Sequence, residues 1–250
     1  RDCRFGCELP NPAQDKPLKP TPCMPDISRY LDAAILKAEL TEAEVIEALD
    51  TCIQLNAFSV CVRPCDIELA QRRCQGTDTA VCVVLGFPHG VQLPESKVDE
   101  ARRYIGRGVD EIDMVANYGW IKSGKWDAVE ADVAGVALLT RAAGVPMKVI
   151  FETAHLNSDQ IKQMVEVCIR AGADFVKTST GFNGEGAQIE DVQTMLDTAA
   201  GRIKVKPSGG IRDRADAQRF VDMGVHRLGV GWTSCQAICG GSAAESASGY

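Results

Sequence analysis

Short apolar runs alternate with longer amphipathic stretches from about residue 26 to residue 239. Each run has the length of a buried β-strand, and each amphipathic stretch repeats its apolar residues at helical spacing. The eight predicted strands are ISRYLDAAI (27–35), AFSVCV (57–62), AVCVVLGF (80–87), VDEIDMVAN (109–117), PMKVIFET (146–153), ADFVKTS (173–179), RIKVKPS (202–208) and HRLGVG (226–231). Strands that alternate with helices in this way form a parallel sheet.

The segments between the runs carry helix start and stop signals. Seven are predicted to be helical, at 41–55, 64–74, 95–108, 128–144, 158–172, 189–201 and 214–224. Thr41 followed by Glu44 has the spacing of a capping box. Gly144, Gly172 and Gly224 stand where a helix ends in the left-handed conformation, which glycine adopts without strain.

Eight strand–helix units in 250 residues predict an α/β fold of a single (β/α)8 TIM barrel, whose typical length is about 250 residues. An open doubly wound sheet is the alternative, although no GxGxxG segment follows the first strand. We assign the barrel to 26–239. The proline-rich segment 1–25 is predicted to be an extended N-terminal arm, and the small-residue segment 240–250 a flexible C-terminal tail.

Composition and charge narrow the class of protein. The net charge is −7, which argues against a nucleic-acid partner because such proteins present a basic surface. No run reaches the roughly 18 apolar residues of a membrane span, so we expect no membrane partner. The eleven cysteines lie partly inside apolar runs and lack zinc-ligand spacing, which favours free thiols in the cytoplasm. We therefore expect no metal and no cofactor.

Ionisable residues at the ends of several predicted strands indicate chemistry, because catalytic groups of such barrels lie at the carboxyl ends of the strands. Lys177 ends an apolar run, and Lys206 lies at the same height on the next strand. Burial and a neighbouring cation both lower the pKa of a lysine, and a neutral amine adds to carbonyl groups. Asp113 is placed to hold Lys206 and to relay protons through water. Below it, we expect Glu111 to pair with Lys204.

A purely structural interpretation competes with this one: each lysine could be half of an ion pair with a carboxylate such as Asp113. Two lysines on adjacent strands beside one acid make that interpretation the weaker of the two. Other predicted contacts with substrate come from Asp32 and Cys61 on the first two strands, from Thr178 next to Lys177, and from Gly231 at the end of the eighth strand.

Glycines follow both lysines. Gly181 lies in TSTGF, and Gly209 and Gly210 lie in PSGGIR. Backbone amides in such loops approach a phosphate closely, and a following helix N-terminus favours the anion. These positions are candidates for a phosphate site beside the two lysines, although a glycine pair at a strand end alone indicates only a turn.

Three segments together resemble the deoxyribose-phosphate aldolase family: FVKTSTGF, VKPSGGIR and VDEIDMVANYG. SVCVRP and GFPHG resemble its second and third strands, and the likeness extends from about residue 28 to 235. The resemblance implies that Lys177 forms a Schiff base, that Lys206 lowers the pKa of Lys177, and that Asp113 relays protons. It also implies reversible, metal-independent cleavage of 2-deoxyribose 5-phosphate to acetaldehyde and glyceraldehyde 3-phosphate.

The chain departs from the family pattern at several positions. Ala33 and Ala34 replace the usual His-Thr after Asp32, and Gly229-Val230-Gly231-Trp232 lacks two hydroxyls expected near the phosphate. Thr233 and Ser234 are the nearest substitutes. The alternatives are therefore another Schiff-base aldolase or transaldolase acting on a sugar phosphate, and a catalytically impaired phosphosugar-binding barrel. For the assembly of the protein, we consider a homodimer.

The chain ends in Tyr250, after a run of small residues. A phenol can relay a proton when it is desolvated over a site, so Tyr250 is a candidate proton relay. The competing interpretation is a terminus whose last residue is incidental.

Overall fold

Eight parallel strands form the centre of the protein in the computed structural model, which describes residues 26–240. The strands are β1 (Leu31–Ile35), β2 (Ser59–Val62), β3 (Ala80–Leu85), β4 (Glu111–Val115), β5 (Met147–Ile150), β6 (Phe175–Lys177), β7 (Lys204–Lys206) and β8 (Leu228–Gly231). Each pairs in parallel with its neighbour in sequence, from β1 to β7. All eight lie within the predicted strands.

The sheet closes on itself. β8 pairs in parallel with β1. On its other side it meets the end of β7 through a bridge between Ser208 and Gly229. The Gly229 amide donates to the Pro207 carbonyl oxygen at 2.8 Å, and the Gly209 amide donates to the Gly229 carbonyl oxygen at 3.2 Å. The predicted barrel is therefore confirmed, and the doubly wound alternative is wrong.

Helices follow every strand. They are α1 (Glu42–Gln54), α2 (Ile67–Cys74), α3 (Pro94–Gly106), α4 (Tyr118–Lys122), α5 (Trp126–Ala143), α6 (Ser158–Ala171), α7 (Ile189–Ala199), α8 (Arg214–Asp222) and α9 (Cys235–Cys239). The predicted capping box at Thr41 is present. Gly144, Gly172 and Gly224 all have positive φ at or just after a helix end, as expected.

The first strand is shorter than predicted. Ile27–Tyr30 form a turn of 3-10 helix, in which the Asp26 side chain accepts a hydrogen bond from the Ser28 amide. This local cap outweighs the apolar pattern, so the extended conformation begins only at Leu31.

Two different environments line the strands. Large apolar side chains fill the layer between the strands and the helices. The interior of the barrel instead holds a small cluster of Ala34, Leu36, Cys61, Cys82 and Val84 beside charged groups. The predicted arm at 1–25, and the predicted tail beyond Gly240 with Tyr250, lie outside the described residues. Within 26–240, no helix has the length and apolar character needed to cross a membrane.

Candidate active site

Seven ionisable side chains converge inside the barrel. They are Asp32 on β1, Glu111 and Asp113 on β4, Lys148 on β5, Lys177 on β6, Lys206 on β7, and Arg227 just before β8, and all are buried. Such charges are stable in a protein interior only when they are paired. The pairs that they form therefore define the site.

Asp113 is the centre of this cluster. One of its oxygens accepts hydrogen bonds from Lys177 Nζ at 2.8 Å and from Lys206 Nζ at 2.9 Å. The other accepts from Lys148 Nζ at 2.8 Å. Burial alone would raise the pKa of Asp113, but the ammonium groups outweigh it and hold that pKa well below its usual value. Asp113 is therefore ionised and accepts hydrogen bonds, and the structure brings it together with both predicted lysines.

Lys206 lies between two carboxylates. Its Nζ is 2.5 Å from Asp32 Oδ2 and 2.9 Å from Asp113 Oδ2. Burial lowers the pKa of Lys206, but Asp113 and Asp32 raise it by more, so the net shift is upward. Lys206 is therefore held as a cation beside Lys177, as its predicted role requires.

Asp32 belongs to the same cluster. Its Oδ1 accepts a hydrogen bond from Ser59 Oγ at 2.8 Å. Burial raises the pKa of Asp32, whereas Lys206, Lys148 and Arg227 lower it to below its usual value. Asp32 thus holds Lys206 as a second carboxylate beside Asp113. Because Ala33 and Ala34 follow it in sequence, its polar contacts come from other strands.

The predicted pairing of Glu111 with Lys204 is wrong. Lys204 is exposed, and its Nζ lies 5.1 Å from the centre of the Phe175 ring. Glu111 instead contacts Lys148 Nζ at 2.5 Å and Arg227 at 3.4 Å. Lys148, like Lys177, interrupts an apolar strand, and that signal could have identified it from the sequence.

The charges of the cluster are almost balanced. Three carboxylates, at Asp32, Glu111 and Asp113, face four basic side chains, at Lys148, Lys177, Lys206 and Arg227. One basic group more than the number of acids leaves an excess positive charge in a site shielded from water. A neutral amine on one lysine removes that excess.

Two thiols flank Asp113. Cys82 Sγ is 3.2 Å from Asp113 Oδ1, and Cys61 Sγ is 4.0 Å from Oδ2. The three groups lie within 4.8 Å of one another, as metal ligands would. Three lysine side chains already contact the same carboxylate, however, so a divalent cation is electrostatically disfavoured there.

Thr178 organises the strand ends beside Lys177. Its Oγ1 accepts a hydrogen bond from the Ser208 amide at 3.0 Å and contacts the Ser208 carbonyl oxygen at 3.3 Å. Ser208 Oγ is buried and has no hydrogen-bond partner among the described residues. A Cβ on Gly229 would come within 1.9 Å of that oxygen, so glycine at 229 makes the room that Ser208 occupies.

The glycine loops close over one edge of the barrel mouth. Gly181, Gly209 and Gly210 all have positive φ. A Cβ on Gly186 would lie 2.3 Å from the Gly209 carbonyl carbon, so the loop after β6 packs directly on the loop after β7. The Gly209 amide already bonds to Gly229. Within residues 26–240 the amides of Gly181 and Gly210 have no acceptor, which leaves them available to an anion.

Glu152 and Asn183 connect the loop after β6 to the loop after β3. Glu152 is fully buried with φ of 61°, a conformation that is unfavourable for a residue other than glycine. Its carboxylate accepts hydrogen bonds from the Thr180 amide at 3.1 Å and from the Thr180 hydroxyl. Asn183 Nδ2 contacts Glu152 and donates to the Pro88 carbonyl oxygen at 3.1 Å. Glu152 lies at the end of the predicted strand 146–153, and the sequence predicted no role for it.

The end of β8 carries the segment Gly229-Val230-Gly231-Trp232, which lacks two hydroxyls of the family pattern. Gly231 is buried and pairs with Ala34, and its carbonyl oxygen contacts Cys235 Sγ at 3.8 Å. Thr233 and Ser234 lie in a 3-10 turn that follows it, Trp232–Ser234. This turn follows β8 directly, so Thr233 and Ser234 lie close to the strand end.

The fold and the site define a class: a parallel barrel with a buried pair of lysines on one carboxylate, suited to carbonyl chemistry. A model of the DeoC/LacD family aldolases matches residues 28–241. The deoxyribose-phosphate aldolase of Mannheimia succiniciproducens is 42% identical over 204 residues, which cover 82% of this chain and 90% of the relative. That of Finegoldia magna is 41% identical, with 82% and 95% covered. The chain belongs to the DeoC/LacD aldolase family.

Solved structures of aldolases are similar to this barrel. The aldolase QR15 superposes with a TM-score of 0.80 at 40% identity and covers 86% of this chain and 95% of its own. The deoxyribose phosphate aldolase of Aeropyrum pernix, described as a unique tetramer, gives 0.76 at 28% identity, with 85% and 89% covered.

Proposed function

We propose that this protein is a metal-independent aldolase that reversibly cleaves 2-deoxy-D-ribose 5-phosphate to acetaldehyde and D-glyceraldehyde 3-phosphate. The observation that carries the proposal is the contact of Lys177 and Lys206 with one oxygen of Asp113 inside the barrel. Family membership and the relatives named deoxyribose-phosphate aldolase support the choice of substrate.

Lys177 is the nucleophile in this proposal. As a neutral amine, its Nζ adds to the aldehyde carbon C1 of the open-chain sugar, and loss of water gives a protonated imine. The excess of one basic group over the carboxylates favours Lys177 as the uncharged member. Lys206 is held as a cation by two carboxylates, so it is the weaker candidate for nucleophile.

The imine then makes carbon–carbon cleavage possible. A base removes the proton from the C3 hydroxyl, the C2–C3 bond breaks, and its electron pair moves to the imine nitrogen, giving an enamine and glyceraldehyde 3-phosphate. Protonation at C2 and hydrolysis release acetaldehyde and regenerate Lys177. Asp113, an ionised acceptor 2.8 Å from Lys177 Nζ, is placed to move these protons through a water molecule.

The phosphate is assigned to the glycine loops. The amides of Gly181 and Gly210 have no acceptor within residues 26–240, and the loop that carries Gly210 leads into α8, whose N-terminus adds a partial positive charge. Arg212 is exposed in the same loop and offers a further cation. We place Asp32, Cys61, Thr178, Gly209 and Gly231 around the sugar carbons.

We also propose a cytoplasmic location and a homodimeric assembly. The eight cysteines in the described range are all free thiols, as expected in a reducing compartment. The homodimer is tested by light scattering after size-exclusion chromatography.

A coupled assay tests the activity. The purified protein is incubated with 2-deoxyribose 5-phosphate, and glyceraldehyde 3-phosphate is detected with an NADH-linked dehydrogenase system. We expect NADH turnover that requires Lys177, and none in Lys177→Leu. A folded wild-type protein that produces no glyceraldehyde 3-phosphate would refute the proposal, and would favour the impaired phosphosugar-binding barrel.

A further inference from the structure

Cys61 and Cys82 form a pair of adjacent thiols inside the barrel. They are direct partners in the parallel ladder between β2 and β3, so both side chains leave the sheet on the same face. Neighbouring strands lie about 4.8 Å apart, which falls within the Cα separations seen in disulfides. The two Sγ atoms are within 4.8 Å of each other. Rotation about the two Cα–Cβ bonds, with a small approach of the two Cβ atoms, therefore brings the sulfur atoms towards bonding distance.

The electrostatic setting differs between the two thiols. Contact with Cys82 lowers the pKa of Cys61; burial and Asp113 oppose this, while Lys177 and Lys206 add to it, and the net shift is downward. Burial raises the pKa of Cys82 well above its usual value. Cys61 is thus the thiolate-forming member and Cys82 the protonated neighbour, which is the arrangement of an attacking and a resolving cysteine.

Access to the pair follows from access to Lys177. Cys61 and Lys177 are each 2% exposed, and both contact Asp113 Oδ2. A molecule that reaches Lys177 Nζ through the mouth of the barrel therefore arrives beside the carboxylate oxygen that Cys61 Sγ also contacts. A hydroperoxide such as hydrogen peroxide is smaller than acetaldehyde.

We propose that the Cys61–Cys82 pair is an oxidation site for hydroperoxides, at which an intramolecular disulfide forms and reversibly stops the reaction at Lys177. The Cys61 thiolate attacks one oxygen of hydrogen peroxide, which releases hydroxide and leaves a sulfenic acid. The Cys82 thiol then attacks that sulfur, forming the S–S bond and releasing water. The two cysteines lose two electrons and two protons, and the peroxide is reduced to two molecules of water.

Disulfide formation alters the surroundings of Asp113. Cys82 Sγ donates to Asp113 Oδ1 at 3.2 Å and accepts from Lys148 Nζ at 3.6 Å. The bond to Cys61 removes the Cys82 proton and draws both sulfur atoms together beside the carboxylate. Asp113 loses a donor, and the space next to Lys177 is reshaped. A dithiol reductant reverses each of these changes.

Peroxide titration with peptide mapping tests the proposal. The whole protein is treated with hydrogen peroxide, and one half is then reduced with dithiothreitol. We expect loss of most of the aldol cleavage activity in the oxidised half and its recovery in the reduced half. Mass spectrometry of a non-reduced peptic digest should link the peptide containing SVCVRP to that containing AVCVVL. Detection of this link does not depend on aldol cleavage activity. The result can therefore be interpreted even if the proposed substrate is wrong.

Variants separate the two thiols and control for the others. Cys82→Ala lacks the resolving thiol, so peroxide should carry Cys61 to sulfinic acid, and dithiothreitol should no longer restore activity. Cys65→Ala removes an exposed thiol four residues from Cys61 and should respond like the wild type. Cys52 and Cys235 are a second buried neighbouring pair, and in Cys235→Ala peroxide should still form the Cys61–Cys82 link that dithiothreitol reverses.

Three outcomes would overturn the proposal. The first is a link between Cys52 and Cys235 as the main product while the Cys61 and Cys82 peptides stay reduced. The second is full recovery of Cys82→Ala with dithiothreitol. The third is unchanged activity of a wild-type sample in which mapping shows the Cys61–Cys82 link.

Discussion

Lys177 and Lys206 compete for one oxygen of Asp113, so the loss of either changes the charge of the other. In Lys206→Leu, Asp113 keeps Lys177 as its cation on that oxygen, and Lys177 should be held as an ammonium at neutral pH. We predict a fall in kcat of at least about a hundredfold, with the remaining activity shifted to higher pH.

Lys204→Leu is the matched control for this variant. It makes the same substitution two residues away on β7, at an exposed lysine. Its pH–rate profile should match that of the wild type. An unchanged profile in Lys206→Leu would show that Lys206 has no electrostatic role.

The ionised state of Asp113 also links stability to pH. Burial raises and the three lysines lower its pKa, with a net value well below the ordinary 3.8. A carboxylate with a depressed folded pKa stabilises the fold above its unfolded pKa, and this contribution is lost as the pH falls through the folded value. We predict that the urea midpoint is flat near pH 7 and drops below about pH 4.

Asp113→Asn should flatten this acid dependence while lowering stability at neutral pH, because three buried lysines lose a partner. Asp159→Asn, at an exposed carboxylate on α6, should keep the wild-type dependence. Equal acid dependence in wild type and Asp113→Asn would contradict the assigned protonation state.

At the scale of elements, the packing of the loop after β6 on the loop after β7 positions the free amides. Gly186→Ala places a Cβ against the Gly209 backbone. Because the contact is with backbone atoms and not with a flexible side chain, one of the two loops must move to accommodate it. We predict a rise in KM for 2-deoxyribose 5-phosphate of about tenfold, with a much smaller effect on unphosphorylated deoxyribose. The ratio of kcat/KM for the two substrates measures this.

Gly106→Ala, at the end of α3, is the control, since nothing lies within 4 Å of its added Cβ. Its substrate ratio should equal that of the wild type. The ratio also tests the altered end of β8: a wild-type preference for the phosphate as strong as in relatives that keep both hydroxyls would show that Thr233, Ser234 or the amides compensate.

The strands were predictable because their apolar runs are local signals, whereas two helices were not. α4 and α9 have five residues each, too few to show a helical repeat. The same limit applied to the site. Local patterns identified Lys177, Lys206 and Asp113, but the pairing of Glu111 with Lys148 depends on how strands stagger around the barrel, and no local pattern contains that information.

At the scale of the whole molecule, Tyr250 stays a prediction, since it lies beyond the described residues. If it relays a proton at the enamine carbon, Tyr250→Phe should slow exchange of the acetaldehyde methyl protons with solvent deuterium. NMR of acetaldehyde in deuterated buffer follows that exchange. Wild-type rates of both exchange and aldol cleavage in the variant would remove Tyr250 from the mechanism.

In this account, the imine forms on the buried amine of Lys177 and carries every later step of the reaction. Chemical trapping of that amine is therefore the most direct test. The protein is incubated with acetaldehyde, reduced with sodium borohydride, digested and mapped by mass spectrometry. We predict a single stable adduct on Lys177, in the peptide containing FVKTSTGF, and loss of activity in proportion to its formation. An adduct mainly on Lys206, or full activity after reduction with no adduct on either lysine, would contradict the account.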